Sequence, residues 1–198
     1  MDLEFQKISD HVLQKLEGLS PMLKYHSVDH VLDVLEQAQQ IATIENSVTS
    51  RELVLLQIAS LYHDAGFLFV YKGHEEVGCE IARNELPGFG LNTEEINKIC
   101  GMIMTTKIPQ SPQNKLEEIM CDADLDYLGR DDFFTIARRL YDEMLHYGFV
   151  QNEKEWNLIQ RSFLQQHHYF TKTNQDRRNA KKQEHLEIIS KLLDHPSQ

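Results

Sequence analysis

The chain has 198 residues, 41% hydrophobic and 26% charged, which suits one globular domain with a real core and excludes a disordered chain. Its formal charge of −11 excludes polymeric nucleic acid and anionic membrane as natural partners, because phosphate contacts call for a basic surface. No run approaches the roughly 18 to 20 consecutive apolar residues that a bilayer crossing needs.

Leu3 to Leu16 carries apolar residues at positions 5, 8, 12, 13 and 16, a helical stripe that Ser20-Pro21 ends. A second helix is expected from about His26 to Ile44. Thr49-Ser50-Arg51-Glu52 has capping-box spacing and opens a third helix that runs to about Gly66. Its segment Leu53-Val54-Leu55-Leu56-Gln57-Ile58-Ala59 is apolar on nearly every side, so this helix is expected at the centre. Gly73 begins a fourth, stopped by Leu86-Pro87-Gly88. Asn92-Thr93-Glu94-Glu95 caps a fifth that reaches about Thr106. Ser111-Pro112 supplies a cap and first-turn proline for a sixth. Three amphipathic helices follow at about 131–147, 153–169 and 175–194, with the end residues frayed from Asp194. Alternating strand patterns are absent. The expectation is an all-α, single-domain bundle of about nine helices spanning 1–198, its functional core at about 24–130 and helices 131–194 packed on it.

Charge is uneven along the chain. Residues 1–129 hold 9 Lys/Arg against 21 Asp/Glu, whereas 130–198 hold 11 against 10. The acidic first part suits cation binding. The three cysteines, Cys79, Cys100 and Cys121, form no CxxC pair and read as buried thiols of a reducing cytoplasm. Met1-Asp2-Leu3-Glu4 lacks the basic flank and apolar stretch of a secretory signal, which agrees with a cytoplasmic protein.

Three segments carry chemistry. In Tyr25-His26-Ser27-Val28-Asp29-His30 the two histidines lie four apart, on the face continued by Val34, Ala38 and Ile41. In Leu61-Tyr62-His63-Asp64-Ala65-Gly66 a His-Asp doublet ends the most apolar helix, and a buried Asp calls for a partner or a metal. Adjacent helical residues diverge by about 100°, so both reach one ion only where the helix ends. In Asp122-Ala123-Asp124-Leu125-Asp126 three carboxylates alternate inside an apolar segment, which is unfavourable unless a cation offsets their repulsion. Asp122 and Asp126 are four apart and Asp124 faces the other way; one of them turns in while the others cap or face water. His30, His63, Asp64 and Asp124, with Asp122 as competitor, form a mixed nitrogen and oxygen set. It suits one divalent ion: Mn²⁺, Fe²⁺, Ni²⁺, Co²⁺, Zn²⁺ or Mg²⁺. The plain alternative for each histidine alone is a hydrogen-bonded core residue.

His30, the His63-Asp64 doublet and Asp124 match the H…HD…D pattern, and the chain resembles the HD-domain metal-dependent phosphohydrolases over about residues 24–130. Ile58-Ala59-Ser60-Leu61-Tyr62-His63-Asp64-Ala65-Gly66, His74-Glu75-Glu76-Val77-Gly78-Cys79-Glu80-Ile81-Ala82 and Asp122-Ala123-Asp124-Leu125 carry the likeness. The Met104-Thr105-Thr106-Lys107 and Leu128-Gly129 segments look like a bacterial branch of predicted HD phosphohydrolases. The resemblance implies a helical bundle around a divalent ion, and it selects Asp124 over Asp122 as the ligand. The Tyr25-His26-x-x-x-His30 segment is similar to that of cyclic-nucleotide phosphodiesterases, which implies an acid role for His26. His74 fits the first extra position of the binuclear pattern, but Thr105 and Thr106 stand where a second extra His is expected. That argues against a second tightly held metal.

The expected activity is hydrolysis of a phosphate ester or anhydride in a small, nucleotide-like molecule, with metal-activated water as nucleophile. Asp64 binds the metal and takes a proton, and His26 protonates the leaving oxygen. His74 is a general acid, a ligand of a weak second metal, or simply the first residue of its helix. Lys72, Lys107 and Arg130 are candidates for phosphate contacts, against the plain reading of surface lysines and an Arg130 salt bridge to Asp131 or Asp132. Gln165-Gln166-His167-His168-Tyr169-Phe170 reads as a helix end that packs its aromatics, with a pocket role second. Trp156 reads as core; His11, His146, His185 and His195 have no supporting pattern. Two other functions stay in view: a non-catalytic metal-stabilised module that senses a nucleotide, and a di-iron HD-type oxygenase. The latter needs more histidines than the Thr105-Thr106 region offers. A homodimer is left open.

Overall fold

The apolar periodicity of the chain resolves into nine α-helices in a computed structural model that describes residues 3–194. They are α1 (Leu3–Leu16), α2 (Val28–Glu45), α3 (Ser50–Tyr62), α4 (His74–Glu85), α5 (Thr93–Thr105), α6 (Lys115–Asp124), α7 (Phe133–His146), α8 (Glu153–Gln166) and α9 (Lys172–Asp194). Short 3-10 turns follow α3, α4 and α6. Among the described residues there is no strand, and no helix is long and apolar enough to cross a membrane. His195 and the expected fraying beyond Asp194 lie outside the described residues.

Both capping boxes form. Thr49 accepts from the Glu52 amide while Glu52 accepts from the Thr49 amide, and Asn92 and Glu95 do the same. Other boundaries differ from the sequence expectation. α2 begins at Val28, so His26 precedes the helix and does not share its face with His30. α3 stops at Tyr62, because His63 and Asp64 turn into the 3-10 segment Ala65–Leu68. α6 starts at Lys115, not behind Ser111-Pro112: Asn114 accepts the Glu117 amide at 3.2 Å and is the cap. α8 ends at Gln166, and His167 is extended, which frees 167–171 to cross the molecule.

The apolar face of α3 is buried almost all round, as its sequence requires, and α1, α2, α4, α5 and α6 pack against it. A second buried cluster joins Tyr25, Leu125, Tyr127 and Leu128 to residues of α7, α8 and α9. The carboxylates after Met120 decide how the two clusters dock. Asp122 is fully buried and accepts from the amides of Phe170 and Thr171 and the Thr171 hydroxyl at 2.6–2.9 Å. Asp126, also fully buried, accepts from Asn174 Nδ2 at 3.1 Å and pairs with Arg178 at 2.9 Å. Gly129 lets α9 come close: a Cβ there would stand 2.4 Å from the Arg178 carbonyl. Tertiary packing thus uses two of the three carboxylates and leaves Asp124 for the seam.

Candidate metal centre

Four side chains from α2, the end of α3 and α6 approach one another at that seam, and the ligand atoms of His30, His63 and Asp124 all lie within 4.8 Å of one another. His30 projects inward from the first turn of α2. His63 and Asp64 sit where α3 ends, which lets adjacent residues aim at one point. Asp124 is the last residue of α6. His30 Nε2 and His63 Nε2 are 3.4 Å apart. Asp124 Oδ1 lies 3.2 Å from His30 Nε2 and 3.6 Å from His63 Nε2. Asp64 Oδ2 lies 3.6 and 3.3 Å from the same two atoms. Donor atoms about 2.1 Å from one ion stand about 3.0 Å apart at right angles and about 3.4 Å apart at tetrahedral angles. Three of the five spacings, 3.2–3.4 Å, fall in that range, and the other two are 3.6 Å.

The surroundings agree with a cation. Asp64 Oδ2 is buried without any hydrogen-bond partner, an arrangement that is costly unless something positive engages it. The Ser60 carbonyl accepts from His63 Nδ1 at 2.8 Å, so Nδ1 carries a hydrogen and Nε2 is the end that faces His30, Asp64 and Asp124. Burial alone would lower the His63 pKa, but Asp64 and Asp124 outweigh it and lift it to about 9. Burial would raise Asp124, yet His30 and His63 hold it well below the usual carboxylate range. Asp122 is pushed the other way, up to about 6, by burial against its three donors. It points to Phe170 and Thr171 and away from the imidazoles.

Two more histidines border the site. His26 and His74 sandwich the Phe67 ring, with centroids 4.1 and 3.9 Å away. His74 Nε2 lies 3.6 Å from Asp64 Oδ1, and its Nδ1 faces the Tyr71 carbonyl at 3.2 Å. Gly66 makes this approach feasible: a Cβ there would stand 2.0 Å from the His74 carbonyl oxygen. His26 is placed by Glu143 of α7, a fully buried carboxylate that accepts from the ring at Nδ1. Glu143 also accepts from the amides of Tyr25 and His26 at 2.9 and 3.2 Å and from the Tyr71 hydroxyl at 2.8 Å. Burial opposes a charged His26, and Glu143 reverses that to a raised pKa.

Glu143 is the functional residue that sequence patterns alone do not single out. It falls in the charged run Tyr141-Asp142-Glu143, yet it continues the inward stripe of Ile136 and Leu140 at helical spacing, and that register is the available signal. The candidate phosphate contacts each have other partners, and Arg130 lines a second, smaller cavity with Tyr25 and His30. Arg130 donates to Asp33 at 2.7 Å and to Asp132 at 2.6 Å. Lys107 pairs with Glu76. Lys72 lies 5.4 Å from the Phe149 ring centroid. None of the three lines the cavity in front of His26, Asp64, His74 and Asp124. Trp156 is buried as expected, but it lines that cavity as well as packing the core.

Comparison with known proteins agrees with this geometry. No curated protein matches the chain. A crystal structure of a predicted HD superfamily hydrolase from an uncultured Thermotogales bacterium is similar, with a TM-score of 0.62 and 21% identity over 96% of this chain and 91% of that one. At that identity the likeness speaks for the fold. The HD domain model matches residues 27–126, the span that holds His30, the His63-Asp64 doublet and Asp124. The chain belongs to the HD domain family.

Proposed function

We propose that the protein is a metal-dependent phosphohydrolase acting on a phosphate ester or anhydride of a small molecule, nucleotide-like by the sequence expectation. The observation that carries this reading is the meeting of His30, His63 and Asp124, with Asp64 Oδ2 3.3–3.6 Å from both imidazoles, behind a cavity that Asp64 and Asp124 line. Those four residues would hold the ion. A bound divalent ion supplies Lewis-acid polarisation of a phosphoryl oxygen and a water of lowered pKa. Asp64 Oδ1 stands beside His74 and accepts the proton of the attacking water. His26, held at Nδ1 by Glu143, presents Nε2 to donate a proton to the leaving oxygen. The Phe67 ring between His26 and His74 fixes both imidazoles and keeps water from that side. Little covalent chemistry is asked of the protein; positioning and charge stabilisation do most of the work.

The test is a panel of phosphoesters and nucleotides assayed with Mn²⁺, Co²⁺, Ni²⁺ and Mg²⁺. The expected result is metal-dependent release of phosphate or nucleoside that Asp64→Ala abolishes. Normal metal binding with no turnover of any ester would instead support the sensing module.

A further inference from the structure

The cavity on which the metal centre opens has a volume of about 340 Å³. Its composition changes sharply away from His26, Asp64, His74 and Asp124. Leu140 and Met144 of α7 and Trp156, Ile159 and Phe163 of α8 face it, with Leu128 of the turn after α6 beside them. Among the described residues no Lys or Arg lines it, and Glu75 adds a third carboxylate to Asp64 and Asp124. Of the uncharged polar groups on its wall, the Thr106 hydroxyl donates to the Ile103 carbonyl and the Tyr71 hydroxyl to Glu143, while Gln160 Oε1 is buried without a partner.

We propose that the substrate carries a single phosphoryl group on a compact, uncharged, ring-bearing alcohol, with the ring seated against α7 and α8. This rests on the phosphohydrolase reading above and narrows it. One phosphoryl group would have its counter-charge in the ion that His30, His63, Asp64 and Asp124 would hold. A second or third would enter a space that holds carboxylates and no cation, where desolvation and like charge both oppose it. Against α7 and α8 a polyol would lose the water of several hydroxyls for one unpartnered acceptor, Gln160 Oε1. A ring gains by burial alone, and its transfer from water is worth more than tenfold in affinity, as for roughly 2 kcal/mol of a buried aromatic side chain.

Trp156 is the chain's single tryptophan, so its fluorescence reports occupation of this cavity without turnover. The experiment titrates the Mn²⁺-loaded protein with benzylphosphonate, methylphosphonate and adenosine diphosphate, following Trp156 emission and binding heat. Benzylphosphonate is expected to bind at least about tenfold tighter than either other ligand and to saturate the Trp156 change. Ile159→Arg, at a position already 42% exposed, is expected to cut that preference to under about threefold by placing a charge on the wall. Equal or tighter binding of methylphosphonate or adenosine diphosphate overturns the proposal. So does benzylphosphonate heat without a Trp156 response. Phosphate release from benzyl phosphate is measured in parallel. Preference for benzylphosphonate with no release from any ester overturns the hydrolase reading and leaves the ring site standing. No binding of any phosphonate overturns both.

Discussion

Glu143 holds the His26 ring at Nδ1 across 117 residues of sequence. The carboxylate is fully buried and has donors on every side: two amides, one imidazole and one tyrosine hydroxyl. Such a group fixes the tautomer and direction of the imidazole it touches. Glu143→Gln keeps the shape and removes the charge. It is expected to lower kcat about 10- to 100-fold while Mn²⁺ affinity stays within about threefold, as for an outer partner of a functional histidine. The downfield resonance of the His26 Nδ1 proton should disappear in the variant. A parallel loss of metal affinity would mean that Glu143 supports the fold of the whole site.

Asp122 and Asp124 sit two residues apart with opposite duties. Asp124→Asn is expected to abolish high-affinity metal binding, read by calorimetry, with little change in thermal unfolding of the metal-free protein. Asp122→Asn is expected to do the reverse. It faces three donors with an amide and should cost about 1–3 kcal/mol of stability, while the folded protein still binds metal. Swapped outcomes would assign the ligand to Asp122.

Gly66 is required by a close approach rather than by an unusual dihedral. Its added Cβ would meet backbone, the His74 carbonyl oxygen at 2.0 Å, which no side-chain rotation relieves. Gly66→Ala should destabilise the protein by at least about 1–3 kcal/mol, roughly 2–10 °C in Tm for a domain of this size. Gly78→Ala meets the Tyr62 carbonyl at 3.1 Å and should cost less. Equal effects at the two positions would contradict the packing described around His74.

His167 connects pH to stability away from the metal centre. Burial, then the neighbouring Lys182, pulls its pKa down to about 3. Lys182 Nζ donates to the His167 carbonyl at 2.5 Å and lies 3.2 Å from Nδ1, which keeps the ring neutral. Unfolded, the ring takes a proton near pH 6.5, so the unfolded chain binds the extra proton. The contribution is present in full above pH 6.5 and is lost as pH falls towards 3. Its slope is at most about 1.4 kcal/mol per pH unit. His167→Gln should flatten this part of the curve in denaturant titrations between pH 6.5 and 4. An unchanged slope would place the proton uptake elsewhere.

Much of the site is legible in the sequence because local chemistry exposes it. A His-Asp doublet at the end of an all-apolar helix and three carboxylates in an apolar segment are both costly without a purpose, so His63, Asp64 and the Asp122-Asp124-Asp126 segment stand out along the chain, and the family resemblance adds His30 and selects Asp124. Both capping boxes are local hydrogen-bond patterns and are readable for the same reason. Less local features are not. Helical phase puts His26 on one face with His30, yet α2 starts beyond it and a residue of α7 orients it. The cap of α6 is Asn114, because the side chain that reaches the Glu117 amide wins over the Ser111-Pro112 signal.

The sequence by itself determined an all-helical chain, the central place of the third helix and the residue types of a candidate metal site. Period, capping and the cost of buried charge act over a few residues, so they are written in the order of the letters. The tertiary structure decided which Asp of the 122–126 segment turns towards the imidazoles, that Glu143 aims His26, and that Arg130 is held by Asp33 and Asp132. It also decided that the cavity wall is apolar. Each of those outcomes depends on which distant helices pack together, and a carboxylate takes its role from the donors that packing brings within about 3 Å of it.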